Sequence, residues 1–149
     1  MIRLAAIGLF ISAFAACGGP GGPPLEISDV DVFAPLPGST MSAAYMTLAN
    51  NTAEITVVQD VSSPDFASVE LHETRIDNGI SRMHRVDRLE IPPRSSVALE
   101  EGGIHLMLMK PTTAPGPDRP VRFRIRYDSD GIVIVNAVMQ ARVQLAEPR

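Results

Sequence analysis

Cysteine is nearly absent from this 149-residue chain: Cys17 is its only one, so no disulfide can close within it. Beyond that position there is also no thiolate for metal binding or redox exchange. Basic clusters are missing as well. The chain carries 13 basic and 17 acidic residues, and no run of Lys and Arg reads as a groove for nucleic acid. Signatures of common catalytic sites are lacking: no Gly-x-Ser-x-Gly elbow, no His-Glu-x-x-His pair and no phosphate-cradling glycine loop. An enzyme is therefore not expected. No amphipathic helical stretch exceeds two turns, and neither an internal repeat nor a second domain is visible.

Long apolar sequence is confined to the start. After Met1-Ile2-Arg3 the chain is almost unbroken in apolar residues from Leu4 to Ala16, too short to span a bilayer comfortably and in keeping with a secretory signal. Phe14-Ala15-Ala16-Cys17 resembles the lipobox of bacterial lipoproteins, with Phe14 where Leu is usual. That resemblance implies cleavage before Cys17 and lipidation of its thiol. Gly18-Gly19-Pro20-Gly21-Gly22-Pro23-Pro24 follows, a tract unable to form a helix or a ladder, which reads as a tether. The expected organisation is a signal peptide over 1–16, a lipidated Cys and tether over 17–24, and one β domain over 25–145.

Within that domain, period-two and β-branched segments recur. Candidate strands are Glu26 to Phe33, Met41 to Asn50, Ile55 to Ser62, Ser68 to Thr74, Gly79 to Val86, Val97 to Glu100, Ile104 to Met109, Val121 to Tyr127 and Ile132 to Val143. Turn residues separate them. Asn78-Gly79 is the best hairpin signal, since both residues tolerate positive φ, and it folds the strand carrying His72 back beside the one carrying Met83. A second turn at Gly102-Gly103 is expected to pair Ser96 to Glu100 with Ile104 to Met109. Eight or nine short strands at this spacing suggest an all-β, two-sheet antiparallel sandwich. Arg122, Arg124 and Arg126 alternate with Val121, Phe123 and Ile125 and read as a solvated strand face.

Histidine and methionine are what this chain has in an informative pattern. Ile104, Leu106 and Leu108 alternate with His105, Met107 and Met109, so each trio takes its own face of a strand. If the aliphatic trio faces the core, the His-Met-Met trio is turned away from it, where thioethers gain little from burial. Val69 and Leu71 against Glu70 and His72 repeat the pattern. Imidazole together with thioether is a donor set that selects soft monovalent copper over zinc, calcium or magnesium. The candidate ligands are His72, Met83, His105 and Met107.

Their spacing carries a family resemblance. Ten residues separate His72 from Met83, twenty-one separate Met83 from His105, and Met107 lies two positions on. This is similar to the His-x10-Met-x21-His-x-Met signature of the periplasmic copper chaperones known as PCuAC. Segments such as Ala44-Tyr45-Met46-Thr47-Leu48-Ala49-Asn50 and Gly103-Ile104-His105-Leu106-Met107-Leu108-Met109 also resemble that family, over Leu25 to Val143. The resemblance implies a cupredoxin-like Greek-key sandwich that binds one copper(I) ion through those four residues. It further implies delivery to the copper centres of cytochrome c oxidase, directly or through an Sco-type protein. Such a protein would work on the periplasmic side of a bacterial membrane, held there by lipid.

Two neighbours are auxiliary candidates. Met109 shares the face of Met107 and is either a spare donor or an apolar rim. His84, adjacent to Met83, points the opposite way in a regular strand, whereas a bulge there would bring it to the ion and favour copper(II). Glu70 and Glu73 lie near His72 and are candidates to orient its ring. Two other readings stay open on sequence alone: a copper buffer without a dedicated recipient, and a metal-free lipoprotein on the same sandwich.

Overall fold

The computed structural model describes residues 22–36, 38–113 and 120–141. The signal peptide, Cys17 and most of the tether lie outside them, as do residues 142–145 at the expected end of the domain. Ten strands are present: β1 (Leu25–Phe33), β2 (Met41–Asn50), β3 (Thr56–Ser62), β4 (Phe66–Asp77), β5 (Ile80–Arg85), β6 (Leu89–Ile91), β7 (Ser96–Leu99), β8 (Ile104–Pro111), β9 (Pro120–Tyr127) and β10 (Gly131–Gln140). No helix occurs among the described residues.

The strands form one path, β5-β4-β8-β2-β1-β10-β9-β3-β6, with β7 also on β2. It folds into the two layers expected of a cupredoxin-like sandwich. One layer runs from β5 to β1 and the other from β10 to β6. The seam between them is a short parallel ladder, Val32 to Met139 and Phe33 to Gln140, in an otherwise antiparallel arrangement. The strands alternate as the sequence does. Ala44, Met46, Leu48, Leu71, Leu106 and Leu108 from the first layer meet Val58, Val61, Val121, Phe123, Ile125 and Met139 from the second in one buried core. Arg122, Arg124 and Arg126 are exposed on the outside of the second layer, as expected.

Two local features place the functional residues. At the β4–β5 turn, Asn78 (φ 53°) and Gly79 (φ 79°) both adopt the left-handed conformation, which suits a tight two-residue hairpin. Its register runs without a shift from Asp77 opposite Ile80 to His72 opposite Arg85.

The second turn departs from the sequence expectation. β7 does not form a ladder with β8; it pairs with β2, Met46 opposite Leu99 through Ala49 opposite Ser96. β8 pairs with the same edge of β2 further along, Met41 opposite Met109 through Ala44 opposite Leu106. The two strands lie end to end, and Glu100 to Gly103 is an outward excursion between them. Its tightness is local: the Gly103 N–H donates to the Glu100 carbonyl at 3.2 Å, the Glu100 N–H to the Ile104 carbonyl at 2.6 Å, and Gly102 takes φ 80°. A ten-residue β2 is long enough to hold both partners, which local turn chemistry does not encode.

Candidate metal centre

β4 is the spine of the site. It pairs with β5 on one side and β8 on the other, and its even-numbered residues Glu70, His72 and Thr74 share the face turned away from the core. On β8, His105 stands directly opposite His72, and Met107 directly opposite Glu70. On β5, Met83 stands opposite Thr74. All four sequence-identified ligands therefore occupy one face of three adjacent strands. Met83 and Met107 are diagonal neighbours of His72, at separations of about 7–8 Å that a flexible thioether can span. The ring centroids of His72 and His105 are 6.3 Å apart and inclined at 39°.

Burial grades across the site. His105 is only 6% exposed, although it lies outside the aliphatic core, whereas Met83 is 51% exposed. A cleft of about 260 Å³ lies over the sheet here, lined by Met83, His105 and Met107 together with Leu36, Tyr45 and Thr74. The Glu101-Gly102 excursion forms part of its wall. His105 is turned away from the aliphatic core as expected, yet it is shielded from solvent beside the β7–β8 excursion.

Hydrogen bonds define one free nitrogen on each imidazole. His105 Nδ1 lies 3.1 Å from the Gly103 carbonyl oxygen, which can only accept, so Nδ1 carries the proton and Nε2 keeps its lone pair. The same carbonyl accepts the Thr74 N–H at 3.1 Å, which ties the ring's anchor to the β4–β8 ladder. His72 Nε2 lies 3.0 Å from Glu70 Oε2, and Arg85 Nη1 donates to Glu70 Oε1 at 3.1 Å. Held between a guanidinium and an imidazole, the carboxylate fixes the His72 ring with Nδ1 as the bare nitrogen. That Nδ1 is buried and has no hydrogen-bond partner among the described residues. An unpaired buried polar atom costs about 1–3 kcal/mol, a cost that a ligand at that nitrogen would relieve.

The auxiliary residues separate. Because the β4–β5 register is regular, His84 lies opposite Glu73 on the other face from Met83, and no bulge brings it round. Glu73 does not support His72: it is paired with Arg75 at 2.6 Å. The hydrogen bond from Arg75 holds the Glu73 carboxyl below the ordinary carboxylate range, against a smaller opposing desolvation and aided by the charges of Arg75 and His84. Met109 stays on the ligand face, two residues beyond Met107 and opposite Met41. Arg85 and the Gly103 carbonyl are the supporting groups of this candidate site that sequence reasoning missed. Arg85 was countable from the hairpin, since a two-residue turn at 78–79 sets 85 opposite 72.

Among the described residues, no group of three or more His, Cys, Asp or Glu side chains could hold a metal ion. A metal site on this face would therefore have to draw on the thioethers as well as on the imidazoles. The donor set of two neutral imidazoles and two thioethers fits a soft monovalent ion.

Comparison with known proteins gives a consistent picture. The family model described as "Putative lipoprotein LpqE-like" matches residues 25–139. The curated protein "Putative lipoprotein Lxx21020" of Leifsonia xyli subsp. xyli (strain CTCB07) is 36% identical over 73 residues, which is 48% of this chain. The match spans 44% of that relative's own length. Among solved structures, the copper-bound PCuAC domain from PmoF2 superposes with a TM-score of 0.67 at 25% identity, covering 80% of this chain and 95% of that domain. The solution structure of CuI-DR1885 from Deinococcus radiodurans matches with a TM-score of 0.67 at 26% identity, covering 83% of each chain.

Proposed function

Since this chain belongs to the LpqE-like family and has the PCuAC fold, we propose that it is an exported, lipid-anchored copper(I) chaperone. It holds one ion through His72 Nδ1, His105 Nε2 and the sulfurs of Met83 and Met107. The observation that carries this reading is the buried, unpartnered His72 Nδ1, in a ring directly opposite His105 and on the face that also bears both thioethers. The copper-bound PmoF2 domain and CuI-DR1885 support copper as the cargo, and the lipoprotein names of the family and of the Leifsonia relative support export and anchoring. Cys17 is the residue to be lipidated, with residues 1–16 as the signal, 17–24 as the tether and 25–145 as the copper-binding domain. Two described histidines face the ion and His84 does not, which favours copper(I) over copper(II).

Transfer follows from the gradient of exposure. His105 is buried and anchored, whereas Met83 is half exposed on the outermost strand. An incoming ligand would displace the Met83 thioether first and the two histidines last, so the ion moves by stepwise exchange without being released into solvent. Each bond from the ion to this chain breaks as one to the recipient forms; no covalent bond of the protein changes, and no electron is transferred. The recipient inferred from the family resemblance is a copper centre of cytochrome c oxidase, reached directly or through an Sco-type protein.

Anaerobic titration of the purified protein with copper(I) against a competing chelator tests the site. One equivalent should bind tightly, and both His105→Ala and Met107→Ala should abolish that binding. Binding unaffected by either substitution would overturn the assignment. For delivery, a deletion strain should lose oxidase activity at limiting copper; sensitivity only to excess copper would point to storage.

A further inference from the structure

Methionine is distributed in two ways over the described residues. Met46 and Met139 are core residues, 2% and 4% exposed. Met41, Met83, Met107 and Met109 stand apart from the core cluster. All four of these lie on the one sheet face that carries His72 and His105. For Met83 and Met107 the site explains the placement. Met41 and Met109 are unexplained by it, because the nearer donors complete the set.

Their geometry is specific. Met41 on β2 is directly opposite Met109 on β8, and Met107 opposite Ala43. The Lys110 N–H donates to the Thr40 carbonyl at 2.8 Å, so 40 and 110 form the hydrogen-bonded kind of antiparallel pair. The next pair, Met41 with Met109, is then the closer, non-hydrogen-bonded kind, with Cβ atoms about 4.5–5.5 Å apart. Met107 is the diagonal neighbour of Met41. The flanking residues on this face are small, Ala43 beside Met41 and Ser68 opposite Met109. Met41 is 53% exposed, an apolar side chain left in solvent where burial returns nothing.

We propose that Met41 and Met109 form a second and weaker site for soft monovalent ions that stages copper(I) for the histidine site, with Met107 joining them as third donor only while the histidine site is empty. The inference rests on the copper(I) reading above. Three soft, neutral thioethers without imidazole still select a monovalent ion, and they make a more labile site than the mixed set. An ion held there reaches the histidines by exchanging Met41 and Met109 for His105 and His72 while Met107 stays bound. It gains the site from the exposed end of the face and passes inward to the buried one.

Silver(I), a diamagnetic stand-in for copper(I), tests this on the full chain carrying Cys17→Ser, so that no thiol competes. With methyl-13C methionine, the Met83 and Met107 resonances should move during the first equivalent. Those of Met41 and Met109 should move together in a second, weaker phase, with Met46 and Met139 unmoved. Met41→Leu and Met109→Leu, which conserve volume, should each remove the second phase and leave the first. Copper(I) uptake by the histidine site from a chelate should slow several-fold in the double variant. Stationary Met41 and Met109 methyls, loss of the first phase in either variant, or unchanged uptake would each overturn the staging site. If Met83 and Met107 were also stationary, the histidine site itself would fall.

Discussion

His72 and His105 face each other across the β4–β8 ladder, each with one ring nitrogen already committed, to Glu70 in one case and to the Gly103 carbonyl in the other. The commitment leaves one lone pair per ring. Two different anchors, a carboxylate and a backbone carbonyl, thus select two different nitrogens.

Glu70→Ala should lower copper(I) affinity by about 10–100-fold, the usual effect of removing a group that orients a ligating histidine. The fold should survive, since Glu70 lies outside the core. Chelator competition reads the affinity, and a circular dichroism spectrum checks the fold. Unchanged affinity would mean that the His72 ring is oriented by packing alone.

Acidification should weaken copper binding, because protons and copper(I) compete for the same imidazole lone pairs while the thioethers do not titrate. The chelator competition, repeated from about pH 7 to about pH 5, should show a steady fall. A flat profile would argue for thioether-only binding.

Glu73 should titrate below the ordinary carboxylate range in the folded protein, owing first to its hydrogen bond from Arg75. The sign is that of a depressed acid: its stabilisation is complete above the unfolded value and is lost as the pH falls through the folded one. Carboxyl 13C shifts should record this, and Arg75→Ala should return the titration upward.

Leu106→Ala should cost about 2–5 kcal/mol, as truncations of fully buried leucines do. Leu106 is inaccessible and sits between His105 and Met107 on the same strand. A denaturant midpoint gives the loss.

Gly79→Ala should cost about 1–2 kcal/mol, the penalty for a Cβ in the left-handed region, because Gly79 has φ 79°. Space is not the cause, since nothing lies within 4 Å of the added carbon. Copper affinity should stay within a few-fold if the register of Met83 is retained.

Much of this was legible from short-range pattern. Alternation around His105 gave both faces of β8, and the Asn78-Gly79 turn set the β4–β5 register, because each depends on residues close in sequence. The partner of β7 was not legible. The turn at Gly102-Gly103 suits a hairpin as well as an excursion, and the choice rests on β2, some fifty residues away, offering a long edge. β6 escaped notice because Leu89-Glu90-Ile91 is too short to display a period. The burial of His105 follows from that same excursion; Glu70 was a sequence candidate for orienting His72, but which ring nitrogen it takes depends on side-chain rotamers that spacing does not record.

Every donor of the site rides on a strand whose backbone is already fixed in a ladder on at least one side, and β4 is fixed on both. Taking up an ion therefore orders side chains alone. With the proposed ligand set, the motions that separate a loaded from an empty centre would be thioether rotations, which occur in picoseconds to nanoseconds where the side chain is exposed. On the chaperone reading proposed above, hand-over would then be timed by how often a partner arrives, and not by any refolding of the carrier.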